Sequence, residues 1–194
     1  MKNILFTIAL LFSFSSFAQV DYKVEALEVH NFERESLNLQ SLKWSKKLER
    51  DAKKYADYLA SKDVFRHSKN LGKLKQGENL YSTMYYVMDD NGEKYFFDAT
   101  NYILDASVGW LDEKKDYTYA KIGDRKNTFS KIGHYTQMIW SGTEEVGIAY
   151  SKSKSGNVYV VARYFPQGNW TGEYPYLTIG ISSSFNSAIS KPRK

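Results

Sequence analysis

GHYTQMIW at residues 133–140 and VYVVARYFPQGNW at residues 158–170 are the two segments that carry the most structural information in this chain. The first places His134, one of only three histidines, among bulky apolar side chains. The second is a β-branched and aromatic run ended by Pro and Gly, which is typical of a buried strand that leads into a turn. An imidazole held beside a rigid strand can do chemistry near neutral pH, and core packing alone does not require it.

Hydrophobic spacing around these segments predicts helices and strands in an irregular order. Ser45 is a plausible N-cap for the second helix, and turn-forming residues at 151–157 predict a hairpin loop between the last two strands. Without regular βαβ spacing, the fold class is α+β rather than a parallel sheet. A further hairpin is predicted at 85–97, whose acidic turn lacks the spacing of an EF-hand calcium loop. The predicted helices are 22–35, 46–61 and one from about Asp98, and the strands are 78–88, 145–150 and 158–164.

Four titratable side chains are candidates for a site, although sequence spacing does not show that they meet. Glu113 continues the apolar stripe of the third helix, and a carboxylate in that position needs a partner. Each candidate also has a structural explanation. His67 could cap the end of a helix, and Glu78 could be an ordinary acid at the start of a strand. Glu113 could pair with Lys114 or Lys115, and His134 could be a satisfied core histidine. The four candidates are His67, Glu78, Glu113 and His134.

Five motifs in this order resemble the CAP superfamily, which comprises cysteine-rich secretory proteins, antigen 5 proteins and plant pathogenesis-related proteins of group one. Besides the two segments above, they are EVHNFER to LKWS at 28–45, FRHS with GENL at 65–80, and WLDEKKDY at 110–117. Together they span about residues 21–176. The chain has no cysteine, and Ala162 stands at the cysteine position of the second signature motif. The run 160–166 most resembles the Golgi-associated, cysteine-free branch.

The resemblance implies a three-layer α-β-α sandwich with a central, mainly antiparallel sheet. It also implies a cleft in which two histidines can bind a divalent metal ion, often zinc, and lipid, sterol or protein ligands for some members. Only two protein ligands would make such a zinc site weak and exchangeable. The implied metal ligands are His67 and His134, and the implied cleft residues around them are Glu78, Glu113, Tyr135 and Gln137.

Other matched residues are better explained by structure than by ligand binding. His30, Asn31 and Arg34 fit helix packing and hydrogen bonding, and residues 138–140 fit a core role.

The ends of the chain predict export. Residues 1–18 have the charged start, apolar run and small-residue cleavage site of a secretory signal peptide, and the apolar run is shorter than the ~20 residues of a membrane span. The predicted CAP domain is 19–176, and the predicted tail, 177–194, is rich in Ser and Lys, with a short strand and then disorder. We therefore expect a periplasmic or extracellular protein with no transmembrane segment after signal removal, held together by its core without disulfides.

Composition narrows the function classes. The net charge of +5 is mild, and no nucleic-acid motif or phosphate-binding glycine loop is present. Without Cys or GxSxG, acyl-enzyme chemistry lacks an activated nucleophile. The main interpretation is a secreted binding module, and the alternative is a metal-assisted, peptidase-like hydrolase with Glu78 or Glu113 as base. A purely structural or adhesive surface domain is the third possibility.

Overall fold

A four-stranded sheet forms the centre of the structure. The computed structural model describes residues 22–97 and 101–178, so the predicted signal peptide and all but the first two residues of the predicted tail lie outside the described residues. The helices are α1 (Tyr22–Ser36), α2 (Lys46–Lys62), α3 (Leu71–Leu74), α4 (Tyr102–Asp112), a 3₁₀ turn (Glu113–Asp116) and α5 (Phe129–Met138). The strands are β1 (Lys43–Trp44), β2 (Gly77–Thr83), β3 (Tyr86–Met88), β4 (Lys94–Phe96), β5 (Glu145–Lys152) and β6 (Val158–Phe165).

The central sheet has the strand order β1-β5-β6-β2 and is mainly antiparallel. Strand β6 pairs antiparallel with both β5 and β2, and only the two residues of β1 pair in parallel, with β5. Alternate side chains of β6 point to opposite faces. Tyr159 and Val161 pack with α2 on one face, while Val160, Ala162 and Tyr164 join the larger core beneath α1, α4 and α5 on the other. The expected three-layer α-β-α sandwich is confirmed.

The predicted strand 78–88 is wrong as one element. It is split into β2 and β3, because Thr83 pairs with Val158, the first residue of β6, and among the described residues no partner strand continues beyond that pair. Tyr85 then turns towards α4, where its hydroxyl donates to Asp105 Oδ2 at 2.9 Å. The predicted hairpin follows as β3 and β4, paired from Tyr86 with Phe96.

The helix predicted to start near Asp98 is α4, and it begins at Tyr102. Asp98 itself lies outside the described residues. Asn101 is the N-cap of α4, with a side-chain oxygen that accepts from the backbone N–H of Leu104 at 3.0 Å. This satisfies one of the amide groups that a helix start leaves without a partner. The asparagine, not the apolar pattern, therefore defines where the helix starts.

A hydrogen-bond chain through the core involves the buried His30 on α1. Its Nδ1 lies 2.7 Å from the carbonyl of Ala26, so this nitrogen must carry a proton and donate it. The Tyr164 hydroxyl, 2.9 Å from His30 Nε2, then donates to that nitrogen and itself accepts from Asn79 Nδ2 at 3.1 Å. Every member of the chain is satisfied only if His30 is neutral. Burial, the main cause, lowers the pKa of His30 from its usual 6.5 to about 4.

We expect the free energy of unfolding to decrease as the pH falls from 6.5 towards about 4. Because the pKa of His30 is lower in the folded state, the unfolded chain binds the additional proton first in this range. The stabilisation associated with neutral His30 is therefore complete above pH 6.5. Acidification to about pH 4 should lower the free energy of unfolding by roughly 3 kcal/mol in all. Urea unfolding across this range measures the slope, and a His30→Gln variant should show a shallower one. An equal slope in the variant would contradict this assignment.

Arg34 is a fully buried cation that closes the C-terminal end of α1 against the chain after α5. Its guanidinium donates to the carbonyls of Gln40 at 2.7 Å, Met138 and Trp140 at 2.9 Å, and Thr143 at 3.0 Å. Asn31 likewise binds the backbone of Leu42 through both side-chain atoms. The structural interpretation of the first-helix motif is thus supported by these contacts.

Substitution of Arg34 by Met should destabilise the protein by roughly 3 kcal/mol or more, because four carbonyls lose their donors inside the core. The matched control is Arg50→Met, which removes the same charge from an exposed position on α2 and should change stability by less than about 0.5 kcal/mol. Equilibrium unfolding in urea compares the two variants. Similar midpoints would show that the four contacts contribute little.

Candidate functional site

The four candidate side chains come from four different elements, and the structure joins them as two His–Glu pairs. His67 lies in the loop between α2 and α3, and Glu78 is the second residue of β2. Glu113 opens the 3₁₀ turn after α4, and His134 lies within α5. The sequence could name these residues but not their pairing.

The first pair is built over a buried ion pair of the sheet. His67 Nδ1 lies 2.7 Å from Glu78 Oε1, which also accepts from the backbone N–H of Ser68 at 3.0 Å. Glu78 Oε2 lies 3.0 Å from Nη2 of Arg163, its direct cross-strand partner on β6. Both of these side chains are buried, and each compensates the charge of the other. Glu78 is therefore a fixed, paired carboxylate rather than an ordinary acid at the start of a strand.

The second pair gives Glu113 the partner that its place on an apolar stripe requires. Glu113 Oε1 lies 2.6 Å from His134 Nδ1, and Oε2 accepts from the backbone amides of His134 and Tyr135 at 2.8 and 3.0 Å. The alternative pairing with its neighbours is wrong, since Lys114 binds Glu33 and Lys115 binds Asp112. Glu113 therefore holds the ring and the backbone of the same helical turn.

Both imidazoles are oriented in the same way. Each uses Nδ1 towards a carboxylate, and neither Nε2 makes a hydrogen bond within residues 22–97 and 101–178. The His67 side chain is 61% exposed and that of His134 is 32% exposed, so neither is a satisfied core histidine. A carboxylate on one ring nitrogen fixes the tautomer and prepares the other nitrogen to bind a metal.

The two pairs are connected through β2, an edge strand of the sheet. Asn79, the residue after Glu78, points to the opposite face and donates from Nδ2 to the His134 carbonyl at 3.0 Å. Gly77 lies so close to α5 that an added Cβ would be 2.2 Å from Gln137 Oε1. Over the described ranges, no group of three or more His, Asp or Glu side chains that could hold a metal ion is found.

Tyr135 and Gln137, the other two residues that the resemblance implies for the cleft, are both buried. The Tyr135 hydroxyl donates to Glu33 Oε1 at 2.7 Å, and burial together with this carboxylate raises the pKa of Tyr135. Gln137 donates to Thr143 Oγ1 at 3.2 Å and accepts from the Gly168 amide at 3.1 Å. Through these hydrogen bonds, both residues fix the position of α5, the helix that carries His134.

The sequence analysis assigned no role in the site to two residues, Arg163 and Asn79, that position it. Arg163 is the only charged residue in the otherwise apolar and aromatic segment of β6, which is itself a signal for a buried carboxylate partner. Asn79, in the middle of the GENL motif, gave no such signal, because its two acceptors come from distant parts of the chain.

None of the helices in the described part of the chain has both the length and the apolar character to cross a bilayer.

Comparisons with known proteins agree with the architecture. The human Golgi-associated plant pathogenesis-related protein 1 is 31% identical over 156 residues, covering 80% of this chain and 90% of that protein. The salivary antigen-5 of Dipetalogaster maximus is 32% identical over 171 residues, covering 81% of this chain but only 64% of its own length. A crystal structure of NaASP2 with Zn²⁺ has a TM-score of 0.64 at 24% identity, covering 83% of this chain and 88% of that one, and shows the same fold.

The model of the cysteine-rich secretory protein family, or CAP, matches residues 27–164, which contain both His–Glu pairs. With the sandwich fold and the motifs in order, this match assigns the chain: it is a cysteine-free member of the CAP family of cysteine-rich secretory proteins.

Proposed function

We propose that this protein is an exported binding module in which His67 and His134 hold a divalent metal ion, zinc in the first instance. The observation that carries the proposal is the matched orientation of the two imidazoles, each with Nδ1 on a carboxylate and Nε2 directed to no described protein group. Borderline-soft zinc accepts neutral imidazole readily, and the two carboxylates give both rings the required tautomer.

Such a site should bind metal weakly and reversibly. Structural zinc has four protein ligands and catalytic zinc usually three, whereas only two are available here. A bound ion would supply a Lewis-acidic centre with open positions for water or for a group of the ligand. The role of this chain is to fix the ring orientations, through Glu78 and Arg163 on one side and Glu113 on the other.

The contacts of the carboxylates favour binding over hydrolysis. Glu113 already accepts three hydrogen bonds, and Glu78 is buried between His67, Ser68 and Arg163. Both carboxylates hold histidines, and Glu78 is buried away from solvent, so we assign them to orienting the two rings rather than to proton transfer.

The ligand of the module is proposed to be a lipid, a sterol or a protein. A groove of about 470 Å³ lies between α1, α2, α4 and β5, and the side chains of Ile103, Ile148 and Tyr150 contribute an apolar floor. Apolar grooves with a few polar groups are typical of sites for such ligands. The predicted signal peptide would deliver the module to the periplasm or the exterior of the cell.

Titration of the purified, metal-free protein with zinc by calorimetry should show about one ion per chain, and His67→Ala and His134→Ala should each abolish it, because a single imidazole cannot retain the ion. Asn70→Ala, in the same loop as His67, is the matched control and should bind like the parent protein. Well-folded parent protein that takes up no zinc would overturn the metal proposal. If a variant with both His67→Ala and His134→Ala binds zinc as tightly as the parent protein, the ion binds at another place.

Glu113→Gln should weaken zinc binding by about 10- to 100-fold, since the amide no longer fixes the His134 tautomer or raises the basicity of its ring. The control, Asp112→Asn, removes the same charge from the exposed neighbour that pairs with Lys115. Calorimetry of both variants, with circular dichroism to confirm folding, makes the comparison. If the two variants lose affinity equally, the effect is one of net charge and not of ring orientation.

A further inference from the structure

A second feature adjoins the site and shares His67 with the first His–Glu pair. It is an open cavity of about 400 Å³ between the C-terminal half of α2 and the loop that leads to α3. The cavity is lined by Tyr55, Tyr58, Arg66, His67, Ser68, Lys69 and Asn70.

This cavity is positively charged. No carboxylate is among its lining residues, and neither Arg66 nor Lys69 forms an ion pair within the described ranges. Cations at several other places are neutralised, as in Lys47 with Asp51 and Lys53 with Asp57 on the same helix. Glu78, the acid that binds His67, is itself compensated by Arg163. Two unpaired cations in one concave surface attract anions, most strongly at low ionic strength.

The arginine is held in place before any ligand arrives. Its guanidinium donates from Nη2 to the Tyr58 hydroxyl and lies 5.7 Å from the centre of that ring, while the Tyr55 hydroxyl donates to the Arg66 carbonyl at 2.8 Å. The two tyrosine rings stack on each other at 5.8 Å and 13°. Arg66 therefore loses little conformational entropy on binding, and its other N–H groups make no hydrogen bond to a described residue.

The lining also offers neutral polar groups and an aromatic surface. Ser68 Oγ accepts from the Asn70 amide at 3.3 Å, so its own hydroxyl proton is available to a ligand oxygen. Tyr58 is 37% exposed and presents part of a stacked ring. A phosphate monoester has close to two negative charges at neutral pH and three acceptor oxygens, which suits two cations and a hydroxyl better than a single carboxylate would.

We propose that this cavity binds a phosphate monoester carried on a planar or apolar group, with Arg66 and Lys69 as the anion ligands and Tyr58 beneath the attached group. The site adjoins the proposed metal position through His67 but does not require the metal. It goes beyond the proposed function by giving the protein a separate ligand class. Phosphatidic acid, whose head group is a phosphate monoester on an apolar lipid, and a small soluble phosphate monoester share this chemistry.

Phenyl phosphate is the probe, titrated into the metal-free protein and followed by calorimetry and amide chemical shifts. We expect shifts at residues 66–70, and about tenfold weaker binding in Arg66→Gln and in Lys69→Gln, because each loses a charge-assisted contact. The matched control is Lys73→Gln, an exposed lysine on α3 that is not part of the lining, and its affinity should stay within about twofold of the parent value. Phenol, which lacks the phosphate, should not bind.

Absence of phenyl phosphate binding, or equal weakening by Arg66→Gln and Lys73→Gln, would overturn the proposal. Zinc titration of Arg66→Gln should be unchanged, so failure of the anion site and failure of the metal site are separate results. Vesicles of phosphatidylcholine with and without phosphatidic acid identify the source of the ligand. Cosedimentation that depends on phosphatidic acid and on Arg66 assigns a lipid head group, and its absence in a protein that binds phenyl phosphate assigns a soluble ester.

Discussion

The buried ion pair between Glu78 and Arg163 is the constraint on which the rest of the site depends. A carboxylate without solvent contact needs a compensating charge, and Arg163, the residue directly opposite on β6, supplies it. A shift of β2 by one residue would place Glu78 on the other face of the sheet and leave both charges unpaired. The pair thus fixes the register of the edge strand, and with it the position of the oxygen that holds His67.

The same strand fixes the second half of the site through its opposite face. Asn79 donates to the carbonyl of His134 and to the hydroxyl of Tyr164, so α5, the sheet and α1 share one set of hydrogen bonds. The chain continues to His30, whose neutral form accepts from Tyr164; a charged ring would instead donate to that hydroxyl and leave the hydroxyl proton without an acceptor. These hydrogen bonds tie the second pair to the core, whereas Glu78 Oε2 and the Nε and Nη1 atoms of Arg163, beside the first pair, are buried without a hydrogen-bond partner among the described residues.

Local patterns were sufficient to predict much of this fold. The apolar spacing of α1 and α2, the turn residues between β5 and β6, and the hairpin of β3 and β4 all depend on neighbours in sequence, and their bounds agree closely with prediction. The position of Glu113 at the end of an apolar helix stripe correctly indicated that its carboxylate has a partner, which is His134. What could not be predicted depends on distant residues, such as the end of β2 where β6 begins, or the burial of Tyr135 and Gln137 behind the second pair. The periodicity of apolar residues along the sequence does not predict contacts between residues that are far apart in the chain.

The contacts of the two carboxylates favour the proposed binding role over the alternative of hydrolysis. Catalytic acids and bases need lone pairs or protons that remain available to the substrate. Here Glu113 accepts from a ring and two amides, and Glu78 accepts from a ring and an amide and faces a guanidinium. To release either carboxylate for proton transfer, the protein would have to break contacts that hold its edge strand or α5. Neither Nε2 makes a hydrogen bond within the described ranges, and in the proposed function these two atoms are the donors for the metal ion.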